Sequence, residues 1–152
     1  MVDQNILEKY LEKINTNKMY RSGPVQNIKN FLPRTPVKMH SKTFKNKIKD
    51  LVYATDDISF AAGFCFYWSN EEGFKYGRNN NGPLTLEVPE KYKNRLSQKC
   101  SMYEVNNNTF KKMINNYAEY YSEKSVKVIK EIKFDSCYDC LKKYDVVLKI
   151  IK

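Results

Sequence analysis

The sequence predicts a single α+β domain built on a split, mostly antiparallel sheet with flanking helices. Three observations carry that expectation. Residues Val126 to Phe134 alternate apolar and polar character in the manner of a half-buried strand. Further short β-favouring runs are separated by turns rather than by long helices, which argues against a βαβ-type parallel sheet. Only a few segments, led by Ile6, Leu7, Tyr10, Leu11 and Ile14, show helical spacing.

In chain order, residues 1–17 predict an amphipathic N-terminal helix. Met19 to Ser22 then read as a short strand stopped by Gly23-Pro24. Residues 34–50 carry Arg34, Lys38, Lys42, Lys45, Lys47 and Lys49 with no acid before Asp50, which predicts an exposed basic loop. Leu51 to Thr55 form a β-favouring run. Thr55, Asp56 and Asp57 supply capping oxygens for a helix from Ile58 to about Ser69, with Phe60, Ala61, Phe64, Cys65 and Trp68 on one face. Residues 70–83 hold three glycines and the Asn79-Asn80-Asn81 tract and predict a mobile loop. Leu84 to Val88 and Ser101 to Val105 predict strands, Asn106 to Thr109 cap a helix carrying Phe110, Met113, Ile114 and Tyr117, and Tyr144 to Ile151 is β-like.

The 152 residues contain 27 Lys+Arg against 17 Asp+Glu, for a net charge of +10, and 41% hydrophobic residues. That much apolar material excludes a disordered basic tail. No apolar run approaches the ~18 residues that span a bilayer, and the first residues carry acids where a signal peptide has bases and an apolar block. The expectation is a soluble, cytoplasmic protein with no membrane partner. The chain is also rich in Asn, Tyr and Ile, so part of its Lys content reflects AT-rich coding. Lys38, Lys42, Lys45, Lys47 and Lys49, with Lys91, Lys93, Arg95 and Lys99, are the candidates for contact with an anionic ligand or nucleic acid.

Of the four cysteines, only Cys137 and Cys140 have the Cys-x-x-Cys spacing. A closed zinc site needs two further ligands, for which Cys65, Cys100 and His40 are the soft candidates. Without the second half of the motif, the expectation is four free thiols and no metal. His40, the only histidine, supports no nucleophilic triad, and no phosphate-loop or dinucleotide fingerprint is present.

Four short motifs together resemble a known family. They are Tyr-Arg-Ser-Gly at Tyr20 to Gly23, Val-Tyr-Ala-Thr-Asp-Asp at Val52 to Asp57, Met-Tyr-Glu-Val at Met102 to Val105, and Ser-x-x-Ser-Val-x-Val at Ser122 to Val128. In this order they resemble small microbial proteins with an ADP-ribosyltransferase-like fold, over residues 19 to about 135. The resemblance implies a split sheet whose cleft takes NAD as substrate. It also implies transfer of ADP-ribose to a macromolecular acceptor with release of nicotinamide. It puts the dinucleotide on Tyr20, Arg21, Ser22, Tyr53 and Thr55, and the catalytic carboxylate on Glu119 or Glu123. The Ser-Thr-Ser pattern of the arginine-class enzymes is absent.

The residue types suit that chemistry. An Arg guanidinium forks onto a diphosphate, aromatic rings stack on nicotinamide or adenine, and a carboxylate stabilises an oxocarbenium-like sugar. Each also has a plainer role: Arg21 as a surface charge, Asp56 and Asp57 as helix caps, Glu119 and Glu123 on a solvated face, Trp68 in the core. A non-catalytic nucleic-acid or protein-binding module on the same fold is the alternative from a different class.

Overall fold

The computed structural model describes residues 17–33, 51–78, 80–112 and 119–152. The N-terminal helix, the basic loop at 34–50 and residues Met113, Ile114 and Tyr117 lie outside the described residues.

The domain is α+β and mainly antiparallel. β1 (Met19–Gly23) pairs with β6 (Cys100–Val105), which pairs with β9 (Val126–Phe134), and β9 pairs with the short β2 (Asn30–Phe31). A second sheet joins β4 (Lys75–Arg78) to β5 (Leu84–Pro89), and β5 runs parallel to β10 (Val147–Ile151), the one parallel pair among the described strands. In a third sheet, β3 (Val52–Ala54) pairs with β8 (Tyr120–Ser122), which pairs with β7 (Lys111–Lys112). A two-way backbone bridge between Tyr20 and Thr55, at 2.7 and 2.9 Å, joins the end of β3 to β1. No helix among the described residues is long and apolar enough to cross a membrane.

β6 explains why two hydrophobic clusters exist. Successive side chains of a strand point to opposite faces. Cys100 and Met102 therefore enter a larger cluster with Phe66, Phe74, Leu86, Leu96 and Leu141, while Tyr103 and Val105 enter a smaller one with Met19, Phe31, Val52 and Val126. β9 has to serve both clusters from one strand, and its simple alternation would put Val126, Val128, Ile132 and Phe134 on a single face. The register shows how it does so: Glu104 faces Lys130, but Val105 faces Val128. Ile129 is the extra residue of a β-bulge and stands 60% exposed. Beyond it the strand turns over, so Ile132 and Phe134 pack on the larger cluster and Val128 on the smaller.

Three expectations are corrected. The helix at Ile58 is only Ile58–Ala62, capped by Asp57, whose side chain accepts from the N–H groups of Ser59 and Phe60. Where it ends, the Tyr76 ring lies over Gly63, so closely that a Cβ there would meet the ring, the Tyr76 hydroxyl donates to the Ser59 and Phe60 carbonyls at 2.9 and 3.0 Å, and Trp68 Nε1 turns back to donate to the Gly63 carbonyl at 2.7 Å. The apolar spacing at Phe64, Cys65 and Trp68 belongs to a compact turn on the same aromatic pile. Residues 70–83 form no loose loop either: they contain a 3-10 turn (Asn70–Glu72), fully buried Phe74 and strand β4. Asn80 and Asn81 turn the β4–β5 hairpin at φ 46° and 64°, a region short amide side chains tolerate. Finally, the segment after Asn106–Thr109 begins as strand β7, not as a helix.

A helix absent from the sequence reading spans Cys137–Lys143. Ser136 caps it, accepting from Asp139 N at 3.2 Å. Its C-terminus closes with Val146 N to Leu141 O and Asp145 N to Lys142 O, with Asp145 left-handed at φ 60°.

Candidate functional site

Most of the residues implied by the family resemblance gather where β1 meets β3 and β8. Arg21 projects from β1 so that its guanidinium donates to the Tyr53 carbonyl at 3.1 Å and lies 4.3 Å over the Phe31 ring. The antiparallel β3–β8 register places Tyr53 opposite Tyr121, so Glu119, just before β8, comes close to it. Burial first, and then the negative charge of Glu119, raise the Tyr53 phenol above its ordinary pKa. A guanidinium and a carboxylate thus both act on Tyr53. Glu123 lies in the exposed turn between β8 and β9.

The other residues of the set serve the scaffold. The Ser22 hydroxyl donates to the Ala61 carbonyl and ties β1 to the Ile58–Ala62 helix. Thr55 is buried, and its hydroxyl accepts from Asp57 N at 3.1 Å. Tyr20 spends its backbone on Thr55 and packs its ring on the larger cluster. The flanking aspartates divide their work: Asp57 caps the helix, while Asp56 accepts the Tyr120 hydroxyl at 3.0 Å and the Asn17 amide at 2.9 Å.

Among the basic candidates outside residues 34–50, Lys91, Lys93 and Lys99 are exposed. Arg95 is engaged. It grips Glu72 through both nitrogens at 2.6 and 3.1 Å, donates to the Tyr67 carbonyl at 3.1 Å, and lies 4.3 Å over Tyr92. It ends a ring-to-ring series that runs through Phe64, Trp68, Phe74 and Tyr92.

The second assembly brings together the four cysteines, which the sequence offers as ligand candidates but predicts to be free thiols. Cys65 follows the short Ile58–Ala62 helix, Cys100 opens β6, and Cys137 and Cys140 occupy one turn of the Cys137–Lys143 helix. All four are fully buried. The sulfur atoms of Cys65, Cys100 and Cys137 lie within 4.8 Å of one another. The Cys140 thiol interacts with those of Cys100 and Cys65. As thiols, Cys137 donates to the Gln98 carbonyl at 3.3 Å and Cys100 to the Ser136 carbonyl at 3.9 Å. A thiolate on Cys100 would accept hydrogen bonds from Cys137, Cys140 and Cys65, which pulls the Cys100 pKa well down. The same contacts to Cys100 push the other three up, Cys137 to about 12. Cys-x-x-Cys spacing was the only local signal for this convergence.

No protein-family model, no curated protein and no solved structure matches this chain.

Proposed function

We propose that the chain binds NAD at the junction of β1 and β3 and transfers ADP-ribose from it to a macromolecular acceptor. The single observation that supports this reading most is the grouping at Tyr53, where the Arg21 guanidinium bonds the carbonyl and the Glu119 charge acts on the phenol. Two parts of a dinucleotide site, a cation for a diphosphate and a carboxylate for a sugar, converge there from strands distant in sequence. The same grouping favours Glu119 over Glu123 as the working carboxylate.

In this reaction the bond from ribose C1′ to the nicotinamide nitrogen breaks, and its electron pair leaves with nicotinamide. The acceptor nucleophile makes the new bond at C1′. Glu119 stabilises the positive charge that develops on the sugar and takes the acceptor's proton. Arg21 holds the diphosphate and the Tyr53 ring packs on the nicotinamide side, which limits the freedom of the reacting groups. Exposed Lys91, Lys93 and Lys99 suit a negatively charged acceptor.

The test is NAD-dependent thermal stabilisation together with nicotinamide release in the presence of protein and nucleic-acid acceptors. Arg21→Ala is expected to reduce both, and Glu119→Gln to abolish release while sparing stabilisation. No stabilisation at millimolar NAD and no release with any acceptor would sink the reading. Salt-sensitive RNA or DNA binding by an NAD-inert chain would favour the non-catalytic module instead.

A further inference from the structure

We propose that Cys65, Cys100, Cys137 and Cys140 hold one zinc ion as a closed, structural tetrathiolate centre. The inference is independent of the NAD reading, since these residues lie in the other hydrophobic cluster from the one beneath Arg21.

Convergence carries the argument. Buried cysteines serving only as small apolar residues have no reason to meet. Here three separate segments, more than thirty residues apart in sequence at each step, deliver four fully buried cysteines, three with sulfurs within 4.8 Å of one another and the fourth, Cys140, with a thiol that interacts with those of Cys100 and Cys65. Tetrahedral zinc with Zn–S bonds of about 2.3 Å needs sulfurs roughly 3.8 Å apart. The spread of Cys65, Cys100 and Cys137, all within 4.8 Å of one another, requires only small side-chain adjustments to reach that value, and Cys140, outside that group of three, closes on it as the fourth ligand. Cys137 and Cys140 sit three residues apart in one helix and so project from the same face, as paired zinc ligands do.

The ligand chemistry narrows the ion. Four thiolates with no carboxylate or imidazole select zinc or iron among the common metals. Burial of every ligand leaves no open coordination position of the kind a catalytic ion needs, so the role is structural. Binding exchanges four thiol protons for one Zn2+, and those protons go to solvent. The centre would fasten the turn after the Ile58–Ala62 helix, the start of β6 and the Cys137–Lys143 helix to a single point.

The experiment is elemental analysis of the full-length chain purified without chelator, together with its melting temperature before and after a strong zinc chelator. One zinc per chain is expected, with a fall of ~10 °C or more when it is removed. Cys100→Ser and Cys137→Ser are expected to lose the ion. Because those variants can fail to fold, the wild-type chain is also loaded with Co2+, which is expected to give tetrahedral d–d bands and thiolate charge-transfer absorption. Three results would overturn the proposal: a folded chain with no bound metal and no response to Co2+, iron in place of zinc, or a non-reduced mass lowered by the hydrogens lost to disulfides. None of these depends on NAD, so this proposal and the transferase reading can fail separately.

Discussion

The two hydrophobic clusters on either side of β6 differ in what their aromatic residues do. The larger one is closed by sulfur and stacked rings: four cysteines, then Phe66, Phe74 and Trp68, with the pile capped by Arg95 over Tyr92. The smaller one contains tyrosines whose hydroxyls reach polar partners. Tyr103 donates to the Val25 carbonyl at 2.7 Å and accepts from Ile28 N at 3.2 Å, and Tyr120 donates to Asp56. Apolar burial is insensitive to direction, whereas hydrogen bonds fix positions. Hydrogen bonds occur in both, Trp68 Nε1 to the Gly63 carbonyl among those of the larger cluster, but in the smaller one they come from Tyr103 opposite Arg21 and Tyr120 beside Tyr53, while most of the stability is expected from its neighbour.

The sharpest way to break that contrast is Phe74→Ala. Phe74 is fully buried between Trp68 and Tyr92, and its loss is expected to cost about 3–5 kcal/mol in urea unfolding. Tyr103→Phe in the smaller cluster removes two hydrogen bonds and almost no area, for an expected ~1–2 kcal/mol. If the second change cost more than the first, the division of labour would be reversed.

A pH test reaches the same cluster from its edge. Burial works to raise the Glu131 pKa, but hydrogen bonds from Ser101 at 2.7 Å and Asn27 N at 2.9 Å, with help from Tyr103 and Lys133, outweigh it, so the folded value lies below 4.5. A depressed carboxylate stabilises the fold above its unfolded pKa and loses that contribution as pH falls through the folded value. The urea midpoint of the wild type is thus expected to exceed that of Glu131→Gln at about pH 7, with the gap closing below about pH 4.5. A gap that does not change with pH would show that the carboxylate charge is irrelevant there. The smallest effect is a gain. Asp145 sits left-handed at the end of the cysteine helix, where glycine is easier, so Asp145→Gly is expected to add roughly 0.5–1 kcal/mol. A loss of stability would mean that the Asp145 side chain, not its backbone, matters to the larger cluster.

Strands β1, β3, β5, β6 and β9 were legible in the sequence because alternation and bounding turns are local signals. β4 was hidden, since Lys75, Gly77 and Arg78 look like loop residues and only the buried Phe74 before them betrays packing. The Ile58 helix read too long because a turn can keep Phe64, Cys65 and Trp68 on one side as well as a helix can. The Cys137–Lys143 helix had a readable sign in the Ser136-x-x-Asp139 cap. The site followed the same rule. Arg21 and Tyr53 stand in short motifs, while Glu119 and Glu123 stand out only by lying ahead of the strand at Val126, and which residues become neighbours depends on strand register. The meeting of Cys65 and Cys100 with the Cys-x-x-Cys pair is wholly tertiary and leaves no trace in spacing.

The bulge at Ile129 makes β9 two half-strands in opposite phase, spliced at one residue. Length is then part of the message. Removing Ile129 would restore an unbroken ladder, with Val128 still opposite Val105 and Lys130 still opposite Glu104. Every paired residue of β9 would keep its face, whereas removing a paired residue such as Lys127 would turn Val126 away from the smaller cluster. A one-residue length change is thus absorbed at the bulge, while anywhere else in the strand it acts as a frameshift in space.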